Sequence, residues 1–276
     1  MPGFASVVDG RPGYLPYNIP AMPDQFQRIT VEHAGHIARV TLNNPPLNII
    51  DGQMADELIV ALCDIERRPG ILATVIAGSE RAFSAGVDIA SHEPRLFEPL
   101  LRKFHKVIRA LVASRKLTVA SVRRHCIGGG AELALMCDLT YAGDDAVFAF
   151  PEIKLASYPP VAMVALSAVV GQKRAAELVL TARSLTAKEG LDMGLVNGIA
   201  PDPETLVTET LARVQQFSPA ALIIAKRALC ACDAVHFDKG LTHSEQIYLE
   251  ELMKTEDAKE GIKAFVEKRR PKWVGK

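Results

Sequence analysis

The feature that most constrains this chain is an alternation of short apolar runs with longer amphipathic segments. Leu72-Ala73-Thr74-Val75-Ile76-Ala77 and Val119-Ala120-Ser121-Val122 are short and carry little polar character, so they read as buried strands. Around them lie segments with apolar residues at helical spacing. Leu58, Ile59, Leu62 and Ile65 mark a helix over Met54 to Glu66, and Phe104 to Val112 repeats the pattern. Strands that alternate with helices of these lengths need crossover connections, which predicts an α/β fold.

Ile29 to His33 and Ile37 to Leu42 are strand-like runs around Ala34-Gly35 and predict a hairpin. Asn43-Asn44-Pro45-Pro46 then forms a loop. From Ser218 the pattern is helical, clearest over Leu241 to Met253 and Ala258 to Arg269. The opening segment holds Pro2, Pro12, Pro16, Pro20 and Pro23, so residues 1–25 are expected to be an extended arm. Residues 26–215 form the expected core and 216–276 a helical C-terminal region. No internal repeat of fixed period is visible.

Composition removes several classes of function. Lys and Arg number 32, Asp and Glu 32, and the net charge is +0, which excludes binding nucleic acid through a broad basic field. No apolar run approaches the roughly 18 residues of a membrane helix, so no membrane partner is expected. A basic start followed by an apolar core is missing, which argues against a secretory leader. Cys63, Cys126, Cys137, Cys230 and Cys232 are scattered through apolar segments and read as reduced thiols of a cytoplasmic protein. Cys230-Ala-Cys232 has no second pair to complete a zinc site, so no metal is expected.

Three stretches can carry chemistry. Phe83-Ser84-Ala85-Gly86-Val87-Asp88 follows a buried strand, and its small side chains let a ligand approach the backbone amides. Gly128-Gly129-Gly130-Ala131-Glu132-Leu133 opens an apolar helix, where unpaired N–H groups can hold an anion or a developing oxyanion. It lacks the spacing of a dinucleotide fingerprint and the lysine of a P-loop. Glu132 there reads either as a carboxylate complementing the helix dipole or as an acid–base group. In Pro151-Glu152-Ile153-Lys154-Leu155, Glu152 is an acid among apolar residues, open to an ion pair with Lys154 or to work as a general acid. Two carboxyls in different environments, with two backbone donors, would make an acid–base site around a carbonyl.

From about Ile29 to its C-terminus the chain resembles the enoyl-CoA hydratase/isomerase (crotonase) family. The resemblance rests on Asn43 to Asn48, the three stretches above, and Ser184-Leu185-Thr186-Ala187-Lys188-Glu189-Gly190-Leu191-Asp192-Met193-Gly194-Leu195-Val196-Asn197. It implies a spiral of ββα turns with a helical C-terminal region that packs in homotrimers or homohexamers. The implied substrate is an acyl-CoA thioester, with no cofactor beyond the CoA it carries. By motif position the backbone N–H groups of Val87 and Gly129 would hold the thioester oxygen. Glu132 would take a proton from water, and Glu152 would deliver one to carbon. Hydratases carry glutamates at both places, so the retained pair favours hydration over isomerisation or a non-catalytic, RNA-binding role. A serine hydrolase is also disfavoured, because no histidine falls in the motifs. The resemblance further implies that Ser84, Ala85, Asp88 and Lys268 contact CoA, while Asp88 also reads as a brace of its own loop and Lys268 as a solvated cation at a helix end.

One departure concerns the wall of the pocket. The chain reads Ala156-Ser157-Tyr158-Pro159-Pro160-Val161-Ala162 where the common hydratase pattern has a Gly-rich turn. Pro160 lacks an N–H, so one donor is lost, and Tyr158 and Pro160 make a bulkier, stiffer wall. This turn resembles a branch of the family that hydrates cyclohexa-1,5-diene-1-carbonyl-CoA in anaerobic benzoyl-CoA degradation. Asp88 to Pro94, and the tail from Tyr248 to Met253 and on to Trp273, are similar to that branch as well. Tyr158 and Pro160 are therefore the expected pocket residues, together with His92, which reads either as a pocket residue or as a surface or capping histidine.

Overall fold

A computed structural model of the chain describes residues 25–88 and 94–276, without the side chains of 94–97 and 231–235. The expected arm lies outside the described residues, apart from its last position.

The hairpin forms as expected. Strands β1 (Ile29–Ala34) and β2 (Ile37–Leu42) pair antiparallel. Helix α1 (Gly52–Arg67) follows. The Asp51 carboxylate caps it by accepting from Met54 N at 2.7 Å, and its apolar stripe is buried.

Three spiral turns come next, each made of two strands and a helix or helical turn. The first holds β3 (Ala73–Ala77), β4 (Ala82–Ser84) and α2 (Pro94–Ala113). The second holds β5 (Leu117–Val122), β6 (His125–Ile127) and α3 (Gly129–Leu135). In the third, β7 (Leu139–Gly143) and β8 (Val147–Ala149) lead into a 3₁₀ turn over Glu152–Leu155 and then α4 (Pro160–Val170). The chain continues through α5 (Gln172–Thr181), β9 (Leu185–Thr186), α6 (Ala187–Met193) and β10 (Gly198–Ala200). It ends in α7 (Pro203–Val214), α8 (Pro219–Glu250), a 3₁₀ turn over Leu252–Lys254, and α9 (Glu256–Val266).

Among the described residues the strands form two sheets. The first strand of each spiral turn joins a six-stranded sheet of order β1-β2-β3-β5-β7-β10, and the second joins a four-stranded sheet of order β4-β6-β8-β9. Within each sheet the spiral strands run parallel, with Val75 beside Val119 and Val119 beside Leu139. All of β3 is buried, as is typical of parallel strands covered on both faces.

This stacking positions the site. β4, β6 and β8 are parallel neighbours, so the chain leaves each of them on the same side. Neighbouring strands lie only about 4.8 Å apart. Three segments distant in sequence, at Ala85–Gly86–Val87, Gly128–Gly129 and Pro151–Glu152, therefore emerge side by side.

Several boundaries differ from the sequence reading. α2 begins at Pro94, ahead of the expected Phe104, with Pro99 inside it. The buried Leu100 and Leu101 extend the stripe of Phe104, Val107 and Ile108, while Pro99 masks its continuity in the sequence. The expected Leu241 to Met253 helix begins inside the continuous α8, which stops at Glu250, and Leu252 and Met253 fall in the 3₁₀ turn that follows. α9 ends at Val266, short of Arg269, whose guanidinium turns back to the Glu260 carboxylate.

Candidate active site

The three emerging segments line a cleft that opens to solvent. Val87 and Gly129 face each other across its floor. A Cβ on Gly129 would lie 2.6 Å from Val87 Cγ2 and 3.3 Å from Val87 N, so only glycine allows the two backbones this close. Neither the Val87 nor the Gly129 amide donates to another described residue. Gly129 is the first residue of α3, so its N–H is one of the orphan donors of a helix start.

Gly128 turns the chain between β6 and α3 at φ 55°, a backbone shape that suits glycine. A Cβ there would sit 2.7 Å from Glu152 Oε1. The bare backbone therefore leaves room for the Glu152 carboxyl to reach the cleft.

Glu132 lies in the first turn of α3 and is 3% exposed. Its Oε1 accepts from Val161 N at 2.9 Å and from Ala162 N at 3.0 Å, the amides that open α4. These bonds stabilise the ionised form, but burial outweighs them and pushes the carboxyl up to about 7. The carboxylate thus complements the dipole of α4 as well as that of its own helix. Pro160 at the start of α4 has no N–H to contribute, as its sequence implied, so the next two residues supply both donors.

Glu152 opens the 3₁₀ turn. Its residue surface is half-buried, yet Oε2 is enclosed and finds no hydrogen-bond partner among the described residues. Burial, reinforced by the charge of Glu132, pushes this carboxyl up to about 8. The two acids thus share one cleft, and each makes ionisation of the other harder. No ion pair with Lys154 forms among the described residues.

The remaining sequence candidates divide. Ala85, Tyr158 and Pro160 line the cleft. Ser84 does not, because its enclosed hydroxyl donates to Asn48 O at 2.7 Å and accepts from Gly86 N at 3.1 Å. It braces the loop from behind, and its hydroxyl is occupied by these two bonds. Asp88 lies off the lining, with its amide bonded to Ile50 O at 3.0 Å. Lys268 is exposed beyond the end of α9 and does not join the cleft either. His92 is outside the described residues.

Sequence reasoning missed the far wall. Leu101 and Phe104 of α2, Tyr248 of α8, Met253, and Ala258 and Ile262 of α9 all face the cleft. Leu101 and Tyr248 are buried together, with Tyr158, Leu249, Leu252 and Met253 packed around them. The helical spacing of Ala258 and Ile262 marked an apolar face, but nothing in the sequence said that this face covers a cleft.

Parallel spiral turns that gather two close-set amides and two buried carboxyls into one cleft are those of a crotonase-fold enzyme. Residues 32–276 match the family model described as enoyl-CoA hydratase/isomerase. The chain is 34% identical to the cyclohexa-1,5-dienecarbonyl-CoA hydratase of Thauera aromatica, over 89% of this chain and 96% of that protein. It is 35% identical to a probable mitochondrial enoyl-CoA hydratase of Dictyostelium discoideum, over 91% and 92%. Among solved structures, an enoyl-CoA hydratase from Mycobacterium avium subsp. paratuberculosis superposes with a TM-score of 0.82 at 27% identity, covering 91% of this chain and 100% of that one. The chain belongs to the enoyl-CoA hydratase/isomerase family, and it is an enzyme of the enoyl-CoA hydratase type, a hydro-lyase.

Proposed function

We propose that this enzyme adds water to an α,β-unsaturated acyl-CoA thioester whose acyl group is a cyclohexa-1,5-diene-1-carbonyl ring. The observation that carries the chemistry is the convergence of Glu132 and Glu152, both raised by burial, beside the amides of Val87 and Gly129, which donate to no other described residue. The thioester oxygen sits between the two amides, where enolate charge develops as water adds. Glu132, in its ionised form, takes one proton from water while the oxygen bonds to the ring. Glu152, in its protonated form, gives its proton to carbon. The elements of water are thereby divided across the diene, and a hydroxycyclohexenoyl-CoA results.

The ring is favoured by the shape of the wall. Tyr158, Pro160 and Tyr248 line the cleft with rigid or aromatic groups, which suit a compact ring better than a flexible chain. The likeness to the Thauera aromatica hydratase points the same way. The likeness to the Dictyostelium discoideum protein favours a second reading, hydration of a straight-chain enoyl-CoA. Comparing kcat/KM for cyclohexa-1,5-diene-1-carbonyl-CoA and crotonyl-CoA decides between them. A clear advantage for crotonyl-CoA would remove the cyclic assignment.

The same proposal includes assembly as a homotrimer or homohexamer, supported by exposed Ile224, Leu229 and Phe265 on the C-terminal helices. The buried free thiols of Cys63, Cys126 and Cys137 suit a reducing compartment such as the cytoplasm. Among the described residues no helix is long and apolar enough to cross a membrane.

A further inference from the structure

Among the described residues Oε2 of Glu152 finds no hydrogen-bond partner. Its place depends on the short turn from Glu152 to Pro159. That turn contains Ala156 at φ 51°, ψ 46°, a left-handed shape that a non-glycine residue keeps only when its surroundings enforce it.

Two cross-links from α8 supply the enforcement. Ser157 Oγ and Tyr248 Oη share a hydrogen bond of 2.6 Å, and the Tyr158 hydroxyl donates to Ser244 O at 2.7 Å. Adjacent residues of the turn are thus tied to positions one helical turn apart on α8. The two tyrosine rings meet edge to face, with centroids 5.1 Å apart. Between the two anchor points Glu245 Oε1 lies 2.5 Å from His105 Nδ1, which fixes α8 to α2. From the turn inward, the Ser157 amide donates to the Glu152 carbonyl at 3.2 Å.

We propose that Tyr248 is a positioning residue for the reaction: its hydroxyl, bonded to Ser157, fixes the turn that aims Glu152 at the substrate. The inference rests on Glu152 being the proton donor. Tyr248 belongs to the C-terminal helical region, so that region shares in setting the acid–base geometry.

The test uses the full-length protein and the hydration of crotonyl-CoA and cyclohexa-1,5-diene-1-carbonyl-CoA. Tyr248→Phe, Ser157→Ala and the double variant are compared with wild type for kcat, KM and thermal midpoint. Each single change is expected to lower kcat roughly ten- to a hundredfold, with KM held within about twofold. The double variant is expected to be no slower than the slower single, because all three break the same bond. It should regain thermal stability, since neither hydroxyl is left buried without a partner. A purely structural role would make activity recover along with stability in the double variant, and that result would overturn the inference. So would a Tyr248→Phe variant that turns over at the wild-type rate. Wild-type protein that hydrates neither thioester would instead bring down the reading of the site itself, and the inference with it.

Discussion

Glu132 and Val161 are joined by a 2.9 Å hydrogen bond from the amide that opens α4 to a carboxyl in the first turn of α3. The second spiral turn is thereby latched to the third at the point where the chemistry is proposed. A substitution at Glu132 must therefore be read for both charge and latch.

Glu132→Gln keeps an oxygen that can accept from Val161 and Ala162, so stability should change little while hydration falls by about 10²- to 10⁴-fold. Glu132→Ala loses the latch as well and should cost a further ~1–3 kcal/mol of stability. Steady-state kinetics with chemical denaturation of both variants separates the two effects. Equal stability losses would show that the latch contributes nothing.

Both carboxyls sit well above the usual carboxylate range, mainly because they are buried. Hydration needs one of them ionised and the other protonated. The expected profile of kcat/KM against pH is a bell near neutrality, rising as the pair loses its first proton and falling as it loses its second. A rising limb at the pH of an ordinary glutamate would contradict the elevated pair.

The same shifts affect folding. A folded-state pKa raised above its unfolded value means that the native state holds protons the unfolded chain has released. The contribution is present in full below the unfolded glutamate value and is lost as pH rises through about 7 and 8. Stability should therefore decline between mildly acidic pH and about pH 8.5, by an amount on the order of a few kcal/mol. In Glu132→Gln/Glu152→Gln the decline should be smaller. Denaturant titrations at several pH values measure this, and an equal decline in the double variant would exclude these groups as its source.

Gly129→Ala places a methyl 2.6 Å from Val87 Cγ2 and forces the two facing loops apart. The overpacking should cost ~1–3 kcal/mol. If the two amides share the oxyanion, kcat should also fall about 10²- to 10³-fold. Kinetics on the folded variant is the check, and near-normal turnover would detach Gly129 from the oxyanion.

The alternating strands and helices were legible because burial on both faces leaves runs such as Val75 to Ala77 without polar residues. The stretches around Val87 and Gly129 stood out because one follows a strand and the other opens a helix, while Glu132 and Glu152 stood out only as acids among apolar residues and took their roles from the family resemblance. Their convergence was not. It depends on β4, β6 and β8 lying side by side, a pairing between strands that are short and far apart in sequence. Ser84 shows the limit from the other side: a hydroxyl in the right motif turns inward to bond Asn48 O. Tyr248 stood out only as part of a tail that resembles one branch of the family, and the apolar face of that tail gave no sign of the cleft it covers.

The most direct test of the account is the turnover of Glu152→Gln with cyclohexa-1,5-diene-1-carbonyl-CoA, in protein shown by circular dichroism to be folded. The substituted amide would occupy nearly the same space as the carboxyl, without an acidic proton to give. With Glu152 as the proton donor, kcat should fall at least about 10²-fold. Turnover near the wild-type rate would contradict that role.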